Sequence, residues 1–182
     1  MGGSLPAVIL TPRLELVPLM PAVIDAIVDG AADRAGLSVP EGWPDAHDDA
    51  FLRHQRVKLA ADSSSAQWRR AVVLPGTEPV RAMAGHAGFH GPPGVNGSST
   101  AGALEVGYKI FPAYRGRGYA VEAVEALIAW ADREHGIRQF LASVAPDNAP
   151  SLAVLARLGF ARVGEQWDEE DGLELVFERR TG

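Results

Sequence analysis

Arg115-Gly116-Arg117-Gly118-Tyr119-Ala120 is the stretch that decides the fold of this chain. It lies between a strand-like run, residues 104–110, and a helix-like run that begins near Tyr119. Glycines at such a junction let the backbone approach a ligand without an intervening Cβ. The first turn of the following helix offers unpaired N–H groups, so the junction suits a diphosphate. The two arginines can add charge-assisted hydrogen bonds. The alternative is an ordinary glycine-containing loop with two solvated arginines.

A second short motif follows about thirty residues later: Asn148-Ala149-Pro150-Ser151 opens a helix-like segment that ends at Leu158-Gly159-Phe160. Together with the first motif, it resembles the GNAT superfamily of acetyl-CoA-dependent N-acyltransferases. The matching positions in the family's phosphate loop and in its Asn-opened helix are Arg115, Gly118, Ala120, Asn148, Gly159 and Phe160. Residues 10–16 resemble the first strand of a subgroup that includes enzymes acetylating N-terminal amines of ribosomal proteins.

Length and composition fit one ordinary globular domain. The chain has 182 residues, of which 47% are hydrophobic and 22% are charged, and we expect a single domain over residues 1–182 with a cofactor-binding core at about residues 104–160. No apolar run reaches the roughly 18 residues of a membrane span, and residues 1–6 do not resemble a secretory signal. The net charge of −6 argues against a nucleic-acid partner. The absence of Cys excludes disulfides and makes a cytoplasmic location the default.

Hydrophobic periodicity predicts a mixed α+β fold of the α/β class. Strands are predicted at residues 14–17, 67–74, 80–89, 104–110, 139–144, 160–167 and 173–179. Helices are predicted at residues 21–34, 45–60, 119–134 and 150–158. The resemblance implies the GNAT arrangement, a central, mostly antiparallel, twisted sheet flanked by helices. The four tryptophans are expected mostly in or beside the core, and residues 90–102 form an exposed, glycine-rich loop.

Amine acetylation by a thioester needs a base for the amine, a donor for the oxyanion and, in some enzymes, an acid for the thiolate. Glu105 is the first candidate for the base, through a water, because the family often has a carboxylate on this strand. The alternative is that Glu105 only pairs with Lys109, two positions along the same face of the strand. A histidine near Glu105 could relay the proton.

The resemblance also assigns residues to the cofactor. It implies that Ile110 contacts the pantetheine arm and the oxyanion through its backbone, that residues 115–120 bind the diphosphate, and that Asn148 bonds the arm. Asn148 can also serve as a helix N-cap. Many family members have a Tyr seven residues after this Asn as the acid, whereas this chain has Leu155. The acid role then passes to Ser151 or to no residue.

The acceptor and its binding residues are less defined. Trp43 lies in a loop that borders the acceptor pocket in the family, so it can wall the substrate site or simply pack. Acidic residues at 45–49 and 168–171 are expected to attract a protonated amine. The five histidines suggest no metal site. We expect an acetyl-CoA-dependent N-acetyltransferase acting on a primary amine. A non-catalytic acyl-CoA-binding module on the same fold stays open, as does a homodimer.

Overall fold

The computed structural model describes residues 6–77, 79–169 and 172–182. The strands are β1 Ile9–Leu10, β2 Glu15–Pro18, β3 Leu37–Ser38, β4 Arg69–Val73, β5 Arg81–Phe89, β6 Leu104–Ile110, β7 Gln139–Val144, β8 Ala161–Asp168 and β9 Gly172–Arg180. The α-helices are α1 Pro21–Val28, α2 Ala46–Ala61, α3 Tyr119–His135 and α4 Ala149–Arg157. The predicted mixture of helices and strands is confirmed, because most of the described strand pairs are antiparallel and helices occur throughout.

Backbone contacts divide the chain into two units, Met1–Ala87 with Lys109–Tyr119 and Gly88–Tyr108 with Ala120–Gly182. In the first unit, β2 pairs antiparallel with β1 and β4, and β3 pairs parallel with the start of β5. Its core is formed by aliphatic side chains of α1, α2 and the strands together with Phe111. The amide of Phe111 donates to the carbonyl of Ala84 at 2.9 Å, so the end of β6 is hydrogen-bonded to β5 within this unit.

The first helix is shorter than predicted. It ends at Val28, and residues 32–35 form a separate 3₁₀ turn. Gly30 has a φ of 70°, in the left-handed region that a helix cannot continue through. The apolar residues Ile24 and Ile27 that suggested the helix are buried as expected. The second helix agrees with its prediction, and Asp45 caps it by accepting from the amide of Asp48 at 2.9 Å.

The second unit has the strand order β6-β7-β9-β8. β7 and β8 both pair antiparallel with β9, whereas β6 and β7 are parallel. The α3 helix buries Ala123, Val124, Leu127, Ile128, Trp130 and Ala131. Its Glu125 receives two hydrogen bonds from Arg179 of β9, at 2.6 and 2.9 Å.

The tryptophan prediction is right at Trp43, which packs against the core, and at two further positions, and it is wrong at one. Trp68 and Trp130 are buried, at 5% and 8% exposure, but Trp167 is 77% exposed on β8. Among the described strands, β8 pairs with β9 alone, so it is an edge strand of the second unit.

Candidate active site

The glycine-containing junction in the first unit has the backbone conformation that its sequence predicts. Gly116 and Gly118 have φ values of 73° and 79°, where a side chain is rarely tolerated. The loop leads directly into α3, which begins at Tyr119 and has Ala120 as its second residue. A turn of this kind before a 17-residue helix presents amide groups and the positive end of the dipole to an anion.

Three arginines use part of their guanidinium groups to bind carbonyl oxygens of this loop. Arg115 Nε donates to Ile110 at 2.9 Å, and Arg117 Nη2 donates to Ala113 at 3.3 Å. Arg13, more than one hundred residues away in sequence, donates to the carbonyl of Arg117 at 2.9 Å. With these carbonyls engaged by cations, the loop carries positive charge that suits a phosphate.

Arg13 was not among the residues identified from the sequence motifs as cofactor-binding. Its Nη2 lies 3.4 Å from the position that a Cβ on Gly118 would occupy, and its guanidinium lies 5.1 Å from the centre of the Tyr119 ring. The only sequence signal for Arg13 was its place within residues 10–16, which resemble the first strand of a family subgroup. The contacts therefore extend the predicted phosphate loop by one residue of the N-terminal segment.

The second unit contains a cleft between two strands that stop pairing. β6 and β7 are hydrogen-bonded partners only at Leu104–Phe140 and Glu105–Leu141, although both strands continue. Beyond these pairs lies a cleft of about 270 Å³. Its walls are His90, Val106, Gly107, Tyr108, Ala142, Ser143, Val144, Ala145, Asn148, Ser151 and Glu174. Strand edges that have no neighbour leave N–H and C=O groups available to an extended ligand.

Two of the predicted site residues, Asn148 and Ser151, line this cleft. Asn148 Oδ1 accepts from the amide of Ser151 at 3.2 Å, which confirms the helix-capping role. The cap uses only the oxygen, and the amide nitrogen of Asn148 donates to none of the described residues. Capping and ligand binding are therefore compatible. The Ser151 hydroxyl likewise has no hydrogen-bond partner in the described part of the chain.

Tyr108 also lines this cleft. Its hydroxyl donates to the carbonyl of Ser151 at 3.3 Å. Burial raises the pKa of Tyr108, only partly offset by the contact with Ser151, so the phenol stays protonated at neutral pH. Leu155, which replaces the Tyr of many GNAT members, is fully buried in the core.

Glu105 lies in a network of hydrogen bonds within the second unit. Its carboxylate accepts from Ser143 Oγ and from the amide of Gly97, each at 2.6 Å. His90 Nδ1 is 3.6 Å from Glu105 Oε2, and the Glu105 side chain is only 3% exposed. The network continues from Ser143 to Gln166 Nε2 at 3.1 Å. None of these partners is close to Glu105 in sequence, so no motif indicated them.

The loop of residues 90–102 is held by the same network. Gly97 binds Glu105, and Ser98 Oγ donates to Gln166 Oε1 at 3.1 Å. Asn96 bridges within the loop, accepting from the amide of Thr100 at 2.8 Å and donating to its carbonyl at 2.8 Å. The prediction of an exposed glycine-rich loop holds for many of its residues, but specific contacts fix its position against β6 and β8.

The alternative partner for Glu105, Lys109, is wrong. Lys109 Nζ lies 2.5 Å from Asp48 and 3.7 Å from Asp45, both at the start of α2. Trp43 Nε1 donates to the same Asp48 oxygen at 2.7 Å, and its ring packs against Phe111 at 4.8 Å. Trp43 is therefore half-buried at the edge of the core of the first unit.

Asp48 is ionised despite its burial. Burial acts to raise its pKa, but the donors around it, His86, Lys109 and Trp43, outweigh this and hold the pKa well below the usual range. Lys109 and Trp43 provide the direct hydrogen bonds, because His86 Nε2 is 3.8 Å away. The negative charge of Asp48 is thus already paired, which weakens its predicted attraction for an acceptor amine.

The other acidic residues predicted to attract an amine are also partly engaged. Asp49 pairs with Arg53 at 2.7 Å. In the late hairpin turn, Glu170 and Asp171 lie outside the described residues. The attraction of a protonated amine by these regions stays a prediction.

Each unit presents polar groups of its own to a ligand. The first unit has a positively charged loop with two glycines in the left-handed region, and the second has a polar cleft beside unpaired strand edges. Among the described residues, no group of three or more His, Asp or Glu side chains could hold a metal ion. None of the described helices combines the length and apolar character needed to cross a membrane.

Comparison with known proteins assigns the family. Residues 13–161 match the family described as "Acetyltransferase (GNAT) domain". This match spans most of the chain, so the chain belongs to the GNAT family, a class of acyltransferases. A solved structure from Bordetella pertussis assigned to the GNAT family covers 95% of this chain and 99% of its own, with 28% identity and a TM-score of 0.69. The predicted GNAT fold is confirmed.

Two further similarities are more limited. The uncharacterized N-acetyltransferase YnaD of Bacillus subtilis is 32% identical over 75 residues, which are 36% of this chain and 44% of that protein. This chain therefore spans less than half the length of that curated relative. An acetyltransferase from Salmonella typhimurium, which modifies the N-terminal serine of ribosomal protein L7/L12, is 18% identical, with coverage of 97% and 100% and a TM-score of 0.65. At that identity the similarity shows the fold alone.

Proposed function

We propose that this protein transfers an acetyl group from acetyl-CoA to a primary amine, by direct attack of the amine while both substrates are bound. The observation that carries the proposal is the cleft where β6 and β7 stop pairing, with Asn148 and Ser151 in its wall. Membership of the GNAT family supports the same reaction.

On this proposal, acetyl-CoA binds through two sets of residues. The amides and side chains of Arg115, Gly116, Arg117, Gly118, Tyr119 and Ala120 hold the diphosphate. The backbone of Ile110 and the side-chain amide of Asn148 bind the pantetheine arm. The proposed contacts use the groups that the fold leaves available, since the Asn148 oxygen already caps α4.

Bound acetyl-CoA supplies an activated acetyl group, and the protein supplies position and proton transfer. We assign removal of the amine proton to the Glu105 network and protonation of the sulfur to Ser151 or to water. A coenzyme A thiol is similar to a free Cys thiol, with a pKa of about 8.5, so its thiolate leaves with modest help. The loss of the usual Tyr at position 155 is therefore compatible with activity.

The acceptor is a primary amine, either a protein N-terminus or a small molecule, and Trp43 forms part of its binding site. Similarity to the Salmonella typhimurium enzyme, which modifies an N-terminal serine, favours including peptide N-termini among the substrates tested. A cytoplasmic location also stays a prediction.

The experiment has two parts. First, desulfo-CoA should stabilise the protein against thermal unfolding by about 2.7 kcal/mol at a hundredfold excess over its Kd, and ATP should not. Second, release of CoA thiol from acetyl-CoA should depend on an added amine, tested with a Ser-initiated peptide, a polyamine, an aminoglycoside and a small metabolite amine. Binding of desulfo-CoA without amine-dependent thiol release would instead identify a non-catalytic acyl-CoA-binding module.

A further inference from the structure

We propose that the hydroxyl of Ser143 takes a proton from the acceptor amine and passes its own proton to Glu105. This inference rests on the proposed function, because it names the route by which the Glu105 network receives the proton. It follows from the positions of the two side chains relative to the cleft and to each other.

Glu105 is linked to the cleft through Ser143. The Glu105 side chain is 3% exposed, and its Oε1 accepts from Ser143 Oγ at 2.6 Å. This contact has the length of a charge-assisted O–H···O⁻ hydrogen bond, along which a proton moves only a short distance. Among the described residues, Ser143 lines the cleft and Glu105 does not. The Ser143 hydroxyl is therefore the direct connection between the cleft and the buried carboxylate.

The register of the sheet places these groups on one face. Glu105 pairs with Leu141, two positions before Ser143, and Ser143 pairs with Val176, two positions after Glu174. Residues two apart on a strand share a face, so the hydroxyl lies on the same face as both carboxylates. Glu174 lines the cleft as well, so the face that carries the hydroxyl borders the cleft.

The hydroxyl of Ser143 has the capacity for one more hydrogen bond. A serine hydroxyl has one proton to donate and two lone pairs. The proton goes to Glu105, and one lone pair accepts from Gln166 Nε2 at 3.1 Å. None of the described residues uses the second lone pair, which can accept a hydrogen bond from an N–H group of the substrate.

The transfer balances without another reactant. A bound ammonium gives a proton to Ser143 Oγ while Ser143 gives its own proton to Glu105, which later releases it to solvent. The lone pair of the amine then forms the N–C bond to the acetyl carbon. The electrons of the C–S bond stay on sulfur, which takes a proton from Ser151 or water, and the second proton lost by nitrogen replaces that one. Each turnover of a protonated amine therefore releases one proton.

Three further titratable side chains line this cleft: His90, directly after β5, Tyr108 on β6 and Glu174 on β9. His90 Nδ1 is 3.6 Å from Glu105 Oε2, and the Glu174 carboxylate accepts a hydrogen bond at 3.0 Å within the same network. Burial raises the pKa of Tyr108, so its phenol is no base at neutral pH. The variants His90→Gln and Glu174→Gln therefore test whether either of these groups takes the proton instead.

The test compares Ser143→Ala with the control Ser98→Ala. Ser98 Oγ donates to Gln166 Oε1 at 3.1 Å, so the control removes a hydroxyl from the same network and leaves the bond from Ser143 to Glu105 in place. At pH 7, Ser143→Ala should lower kcat/KM for an alkylamine by at least about a hundredfold, the usual order for general-base catalysis, with the Kd for acetyl-CoA unchanged. Ser98→Ala should cause a much smaller loss.

A matched pair of substitutions separates the hydroxyl from the shape of the side chain. Thr and Val have nearly the same volume and differ in the hydroxyl, and both suit a strand. Ser143→Thr should keep most of the activity, whereas Ser143→Val should lose as much as Ser143→Ala. This pair also decides the question if the smaller Ala side chain proves to unfold the protein.

The pH dependence separates proton removal from a displaced loop. An amine that binds without its extra proton does not need the relay. The free-base fraction rises about tenfold per pH unit below the pKa of the amine, about 10.4 for an alkylamine and about 8 for a peptide N-terminus. The loss in Ser143→Ala should therefore shrink from pH 7 to pH 9, and for a Ser-initiated peptide it should fall from about tenfold to nearly none. A displaced loop would lower turnover by the same factor at each pH.

Each outcome decides the question. Wild-type-like turnover of Ser143→Ala, equal activity of the Thr and Val variants, a loss that is constant from pH 7 to pH 9, or an equal loss in Ser98→Ala overturns the inference and leaves the proposed function intact. A pH-dependent loss in His90→Gln or Glu174→Gln in place of Ser143→Ala does the same. A wild-type protein that binds desulfo-CoA but shows no amine-dependent thiol release overturns the proposed function, and the relay with it. Thermal unfolding at both pH values shows that the compared proteins are folded.

Discussion

Replacing His86 by Leu should make the protein less sensitive to acid. His86 is 8% exposed on β5, and neither ring nitrogen has a hydrogen-bond partner among the described residues. Its ring stacks on Phe51 with centroids 5.5 Å apart. Burial lowers the pKa of His86, and although Asp48 acts to raise it, Arg69 and Lys109 add to the lowering. The folded protein therefore keeps this imidazole neutral where the unfolded chain takes up a proton.

The sign of the pH dependence follows from this difference. Below about pH 6.5, the ordinary value for histidine, the unfolded state binds more protons than the folded state, so stability falls as pH falls. A single group contributes at most about 1.4 kcal/mol for each pH unit in this range. Between pH 7.5 and pH 5.5, His86 should therefore account for up to roughly 1.4 kcal/mol of lost stability.

The Leu side chain removes this contribution together with the two unpaired nitrogens. An unsatisfied buried polar group costs about 1–3 kcal/mol, and the lost ring stacking offsets about 0.5–1.5 kcal/mol. His86→Leu should thus be about 1 kcal/mol more stable than the wild type at pH 7.5, with a larger advantage at pH 5.5. Urea unfolding at both pH values measures both quantities, and His54→Gln is the exposed control. A variant that is less stable than the wild type and equally acid-sensitive would refute the reasoning.

Two further predictions concern the substrate sites. Gly118→Ala should weaken CoA binding at least about tenfold, as measured by isothermal titration. The control Gly30→Ala imposes similar backbone strain at a φ of 70°, with nothing within 4 Å of the added Cβ, and it should lower stability without changing CoA affinity. Equal CoA affinity in the two variants would place the diphosphate elsewhere. Ser151→Ala should lower kcat without changing the Kd for CoA. Tyr108→Phe, which removes the hydroxyl that donates to the Ser151 carbonyl, should change kcat less; the opposite order would assign the acid role to Tyr108.

Individual strands and helix caps could be predicted because they depend on residues that are close together in the sequence. Residues 104–110 and 139–144 are strands with the predicted bounds, since short apolar runs between turn residues leave little choice. Asn148 caps α4 as its position before a Pro-containing first turn indicates. The first helix was predicted too long because the prediction continued it through Gly30, where the backbone φ of 70° ends the helix.

The side-chain networks could not be predicted because they join distant segments. Strand alternation placed Glu105 and Lys109 on one face and suggested that they pair. In the structure Lys109 binds Asp48, 61 positions away, and Glu105 binds Ser143, 38 positions away. A spacing rule considers only neighbours along one strand, whereas each charge takes the partner that the fold brings closest. The same limit hid the contact of Arg13 with the phosphate loop.

The Glu105 network also determines how a mutation at this residue should be interpreted. Glu105→Gln changes an acceptor of two hydrogen bonds, so it perturbs Ser143, the amide of Gly97 and the loop that begins at His90, in addition to any proton transfer. A loss of turnover in this variant would follow both from a missing base and from a displaced loop, so the turnover of Glu105→Gln alone does not identify the base.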